Sequence, residues 1–110
     1  IDSLIGQWIG LYKNSNIMLE VKENNTCSLE FRDILSNDSE IFNGDCSLDD
    51  SKRPYTFIMT NILETTTSLY SIMLPIDDNV IHISGFSNKW RLRPLVLTPK
   101  NTIILQKIIN

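Results

Sequence analysis

The residues of this chain with types suited to chemistry are two cysteines, a single histidine, two aspartate pairs and a tryptophan set among arginines. Cys27 and Cys46 fit no metal pattern, since a zinc site wants CxxC pairs or additional histidines and His82 stands alone. A nucleophilic triad needs a base, and His82 is the only imidazole. It alternates with Val80 and Ser84, as a side chain on one face of a strand does. To act catalytically it would need an orienting carboxylate and a nearby nucleophile. Asp77 and Asp78 are near in sequence, but a hairpin turn accounts for them more simply. Neither Asp49-Asp50 nor Asp77-Asp78 lies in the spaced acidic loop that binds calcium. The four glycines are scattered and form no phosphate cradle. The expectation is a chain with no catalytic residue, no metal site and no cofactor.

The cysteines have a second use. Cys27, Leu29 and Phe31 share one face of an alternating segment. Leu35-Ser36-Asn37-Asp38 follows, and then Ser39 to Leu48. If those four loop residues close a hairpin, Ile34 opposes Ser39, Phe31 opposes Phe42, Leu29 opposes Gly44 and Cys27 opposes Cys46. The register that joins the apolar faces thus sets sulfur against sulfur, and a Cys27–Cys46 disulfide is expected. A bridge implies an oxidising compartment, periplasmic or extracellular; two unrelated core thiols in a cytosolic chain are the competing reading. The opening Ile1-Asp2-Ser3-Leu4 has neither the basic nor the long apolar region of a signal peptide, which fits a mature exported chain or a cytosolic one. The sequons at Asn24 and Asn37 are expected by chance among eleven asparagines.

Ser87 to Pro94 places Lys89, Arg91 and Arg93 around Trp90. A tryptophan flanked by arginine is the composition of a protein hot spot or an anion clamp, so these four residues form a candidate partner surface. The plainer reading is a loop whose tryptophan caps a barrel end while its charges reach solvent.

The elements that must position these residues have period 2, with turns every eight to twelve residues. Ile17 to Val21 is a strand, turned at Glu23-Asn24-Asn25 into the Cys27 strand. A three-residue loop with Asn25 left-handed pairs Val21 with Cys27, Leu19 with Leu29 and Ile17 with Phe31. Tyr55 to Ile62 alternates. Leu69 to Ile76 and Val80 to Phe86 make a hairpin around Asp77-Asp78-Asn79, and Thr102 to Ile109 is the last strand. Ser47 to Pro54 reads as a polar connection. Asn43-Gly44 is a competing turn signal, rejected because it would leave fragments too short to pair. Helical evidence is confined to a short capped turn at Asp2-Ser3-Leu4-Ile5. Seven or eight short antiparallel strands in meander order predict an all-β, up-and-down barrel over residues 1–110 as one domain. Its interior candidates are Trp8, Leu19, Leu29 and Phe31 early in the chain and Phe42, Phe57, Met59 and Met73 later. Several strands are apolar on both faces, as at Ile9/Leu11 and Ile103/Ile104/Leu105, and the excess would cover the barrel ends or meet a partner.

Composition agrees with this class. The chain is 110 residues long, 42% hydrophobic and 21% charged, with net charge −3. It is too apolar for a disordered segment and lacks the basic excess of a nucleic-acid binder. No apolar run reaches the roughly 20 residues of a membrane-spanning helix. Sixteen isoleucines favour strands, and the asparagines supply turns.

Gly6-Gln7-Trp8 opens the chain like a lipocalin strand. Gly44-Asp45-Cys46-Ser47-Leu48-Asp49, Lys52-Arg53-Pro54, Leu69-Tyr70-Ser71-Ile72, the Asp77-Asp78-Asn79 turn, Arg93-Pro94 and the strand ending at Lys107 follow in order. This order resembles that of bacterial, mostly exported, lipocalin-like (calycin-type) domains of uncharacterised function, over residues 3–107. The resemblance implies a small closed barrel in which a basic residue, here Lys107 or Arg91, packs over the opening Trp8. The expected function is that of a non-enzymatic exported barrel that binds, its ligand a small apolar molecule lodged among the interior candidates. The alternative is a protein-binding inhibitor or immunity-type protein that blocks a toxin or hydrolase through the Trp90 loop and an acidic surface.

Overall fold

Asn25 adopts φ 63°, and its turn closes the hairpin between β2 (Ser15–Val21) and β3 (Thr26–Asp33). Val21 faces Cys27, Leu19 faces Leu29 and Ile17 faces Phe31, the register that the apolar alternation predicts. The computed structural model describes residues 2–109. The remaining strands are β1 (Gly6–Tyr12), β4 (Ser39–Asp49), β5 (Tyr55–Thr60), β6 (Leu69–Asp77), β7 (Val80–Ser84) and β8 (Thr102–Lys107). Each strand pairs antiparallel with its neighbours in sequence, and β8 returns to β1, so the sheet closes into an eight-stranded up-and-down barrel. Closure leaves no free sheet edge, which short strands of this kind otherwise expose.

Alternation sorts the side chains. Trp8, Leu19, Leu29, Phe57, Met59, Met73, Ile81, Ile83, Ile103 and Leu105 point inward and are buried. One end of the barrel is shut by the short 3-10 turn Asp2–Leu4, whose Leu4 is buried and whose carbonyl accepts the Trp8 indole N–H at 2.8 Å. The opposite end carries the loops 13–14, 34–38, 61–68 and 85–101.

The β3–β4 pairing is shifted by two residues from the sequence expectation. Cys27 faces Gly44, Leu29 faces Phe42 and Phe31 faces Glu40. Neither Cys46 opposite Cys27 nor Phe42 opposite Phe31 holds. The cause is the turn. Asp33 Oδ1 accepts the N–H groups of Leu35 and Ser36 at 2.8 and 3.0 Å, and Asn37 takes φ 62°. The chain therefore bends one residue earlier than its apolar pattern suggests, leaving Ile34 and Leu35 exposed. The disulfide forms all the same, as a diagonal link between Cys27 and Cys46 with Cα atoms 5.8 Å apart.

Asn43-Gly44 is not a turn but part of β4, which runs on through Ser47, Leu48 and Asp49, so the polar connection is confined to 50–54. Glycine is required at 44 because a Cβ there would lie 2.5 Å from the Thr60 carbonyl oxygen. Just beyond β5, Leu63 N–H donates to the Asn43 carbonyl at 2.9 Å. The Glu64 carboxylate accepts the backbone N–H and side-chain amide of Asn43 at 2.6 and 2.9 Å. A carboxylate thus occupies the place of a strand neighbour.

Candidate functional site

The open end of the barrel is built from aromatic side chains on three strands and the segment after a fourth. Tyr12 ends β1, Phe31 lies near the end of β3, Phe42 near the start of β4, and Phe86 follows β7. Phe31 meets Phe42 and Phe86 edge-on, with centroids 6.3 Å apart in both pairs, and Phe86 meets Phe57 at 6.4 Å. Tyr12, Phe31, Phe42, Leu69, Phe86 and Ile103 line a mouth cavity of about 750 Å³. Lys13, Ser15, Glu40, Ser87 and Asn88 supply its polar part.

Phe86 belongs to this cluster because the β6–β7 ladder slips. Met73 faces Ile83, yet Tyr70 faces Ser87 beyond the end of β7, so the chain from Ile83 to Ser87 carries one residue more than its partner segment. At the slip Ile72 N–H donates to Ser84 Oγ at 3.0 Å, and the Ser71 hydroxyl lies 3.0 Å from both the Ser84 carbonyl and Oγ. The two buried serines replace the interrupted ladder. The alternation of β7 alone would place Phe86 outside, with His82 and Ser84. Sequence reading therefore missed it as a lining residue, and missed Tyr12 too.

The interior candidates divide into two groups. Trp8, Leu19, Leu29, Phe57, Met59 and Met73 are at most 1% exposed and fill the axis. Phe31 and Phe42 are half-buried and line the mouth. A small barrel filled in this way offers a ligand its mouth rather than a central channel.

Lys107, not Arg91, is the basic residue above Trp8, with Nζ 5.7 Å from the ring centre. It closes the end opposite the mouth. Trp90 lies on the 85–101 loop and is about half-exposed. The Arg93 guanidinium stacks on it at 3.7 Å, and Tyr70 meets its edge at 5.3 Å. Lys89 and Arg91 beside it are exposed. No family model, curated protein or solved structure matches this chain.

The remaining chemistry-bearing residues are placed by the fold as follows. His82 points outward from β7 between Leu74 of β6 and Ile104 of β8. Asp77 Oδ1 accepts the Asn79 N–H at 2.8 Å, and Asp49 Oδ1 accepts the Ser51 N–H at 3.0 Å, so one member of each aspartate pair shapes a turn. Among the described residues no three histidine, cysteine or acidic side chains converge as a metal site would require. Hydrogen bonds hold three carboxyls below the usual carboxylate range. The Asn43 side-chain amide and then its N–H do this for Glu64, and the N–H groups of Ser36 and then Leu35 for Asp33. The Ser51 hydroxyl and then its N–H do it for Asp49. All three shifts belong to turns and loop anchors. The doubly apolar strands leave Ile9, Leu11 and Ile104 half-exposed on the outer wall, where they line a second open cavity of about 640 Å³.

Proposed function

We propose that this chain is a non-enzymatic, exported binding barrel of lipocalin-like type, whose mouth takes a small apolar ligand. The observation that carries the reading is the Phe31–Phe42–Phe86 cluster, which lines an open cavity above a filled axis. Ligand sites of this class combine apolar walls with a few polar groups for orientation. Glu40, Lys13 and Asn88 supply such groups here. Closed eight-stranded topology, a 3-10 turn shutting one end and Lys107 over Trp8 support the lipocalin-like description. The Cys27–Cys46 bridge supports export to an oxidising compartment.

The test is titration with the neutral fluorescent probe N-phenyl-1-naphthylamine, alongside native mass spectrometry of the protein purified from an oxidising host. Saturable fluorescence enhancement that Phe42→Ser weakens by about ten-fold or more is the expected result, since one buried aromatic contact is worth more than 1.4 kcal/mol. Ile104→Ser on the outer wall should leave the titration unchanged. Enhancement equally insensitive to both substitutions would reject the mouth as the site.

A further inference from the structure

All thirteen acidic residues of the chain precede Asn79, together with five of the ten basic ones. From Asn79 onward there are five basic residues and no acidic one. Four of those five, Lys89, Arg91, Arg93 and Lys100, lie on the 85–101 loop between β7 and β8. The same loop exposes Trp90, Leu92, Leu95 and Val96, at 52, 68, 68 and 63% of their surface. Four large apolar side chains within seven residues are seldom left to solvent without a use.

The loop is held in this shape. Tyr70 and Ser87 exchange backbone hydrogen bonds of 2.8 and 2.9 Å, and Gly85 N–H donates to the Asn101 carbonyl at 2.9 Å. Tyr12 Oη donates to the Lys100 carbonyl at 3.2 Å, and the Thr102 hydroxyl to the Thr98 carbonyl at 2.6 Å. Between these anchors, Trp90–Leu92 forms a 3-10 turn, and Arg93 Nη1 donates to the Trp90 carbonyl at 2.8 Å. The apolar side chains are therefore displayed by an anchored projection with cations interleaved among them.

We propose that this loop docks the barrel on an anionic lipid bilayer. Leu92, Leu95 and Val96 would enter the acyl boundary, Trp90 would sit at the headgroup level, and Lys89, Arg91 and Lys100 would meet lipid phosphates. The charge partition argues for a negatively charged surface as the occupant. It also confines the contact to the loop itself, because Asp38, Glu40 and Glu64 share this end of the barrel and are repelled from that surface while the loop is attracted. A basic protein partner would meet a loop of its own sign. The proposal stands independently of any ligand in the mouth.

The test is sedimentation of the intact disulfide-bonded protein with vesicles of phosphatidylcholine alone or of phosphatidylcholine with phosphatidylglycerol. Tryptophan emission is followed in parallel. Trp8 is buried, so a blue shift on binding reports Trp90. Expected are a blue shift and co-sedimentation with the anionic vesicles, reversed by salt and absent with phosphatidylcholine alone. Arg91→Glu should weaken partition by more than about five-fold, the value of one cation near the surface. Leu95→Ser should abolish the blue shift. Both side chains are exposed, so thermal melts of these variants should match wild type. Equal partition to neutral vesicles, no partition to either kind, or binding unchanged in both variants would overturn the proposal. So would a loop that fails on vesicles yet binds an acidic protein.

Discussion

Lys107 stands opposite Trp8 in the β1–β8 ladder and lays its side chain over the indole, with Nζ 5.7 Å from the ring centre. Gly6 makes room for that arrangement. A Cβ at residue 6 would approach Lys107 Cε to 2.8 Å, and the backbone there has φ 135°, a conformation that residues with a side chain rarely adopt. Backbone and contact are separable. Lys107→Ala should destabilise the fold by about 1 kcal/mol through loss of the cation–π contact and stem packing. Gly6→Ala should cost about 1–3 kcal/mol for the backbone alone. Urea denaturation of the two variants and their combination checks this. In the Lys107→Ala background the Gly6→Ala penalty should shrink without vanishing, because the lysine stem can move and the backbone cannot.

The disulfide is the second test. It closes a loop with a sequence separation of 19 residues, worth about 3 kcal/mol in the chain-entropy account. Reduction, or the double substitution Cys27→Ser with Cys46→Ser, should lower the urea midpoint by that order while the β-sheet circular dichroism persists below the transition. The barrel ladder around it is complete, with Cys46 N–H donating to the Asn25 carbonyl at 2.9 Å. Collapse of the fold on reduction would show that the bridge, not the ladder, specifies the β3–β4 register.

That register shows what the sequence carries and what it conceals. The β2–β3 pairing is legible because the Asn25 turn and the apolar alternation demand the same loop length. At β3–β4 the two demands conflict. Apolar matching favours Phe31 against Phe42, whereas Asp33 and Asn37 fix a turn two residues out of step, and the turn prevails. The cysteine pairing survives because a diagonal neighbour two residues along the partner strand is still within reach of a disulfide. The mouth is half-legible for a similar reason. Phe31 and Phe42 follow strand alternation, but Phe86 is carried inward by a slip marked only by Ser71 and Ser84. Serines in a strand carry no distinctive signal until their partners are seen. The exposed Trp90 loop is legible as composition, while its projection depends on anchors from Tyr12 and Tyr70, far away in sequence.

The serine pair itself gives the third test. Ser84 is buried and its Oγ accepts the Ile72 N–H at 3.0 Å. Ser84→Ala should leave that donor unpaired in the wall and cost about 1–3 kcal/mol. Ser71→Ala removes a hydroxyl donor whose acceptor, the Ser84 carbonyl, tolerates its loss better, so its cost should be about 1 kcal/mol. Hydrogen exchange at Ile72 reports the difference: Ser84→Ala should accelerate it more than Ser71→Ala does. Equal acceleration in the two variants would show that the serines do not carry the interrupted ladder.

The last test is the acid limb of stability. Glu64, Asp33 and Asp49 all accept hydrogen bonds in the folded chain that depress their carboxyl groups below the usual range. The unfolded chain, whose carboxyls titrate at about pH 4, then binds more protons than the folded chain in that region. The contribution of these groups is fully present above the unfolded value. It is lost as pH falls through the lower folded values. For Glu64 the effect is tied to the 61–68 loop, because its carboxylate bridges both the N–H and the amide of Asn43. Glu64→Gln should therefore lower the urea midpoint at neutral pH, yet lose less of it on acidification than wild type does. The two midpoints should converge toward low pH. Parallel pH profiles for Glu64→Gln and wild type would mean that the Asn43 clamp does not couple to folding.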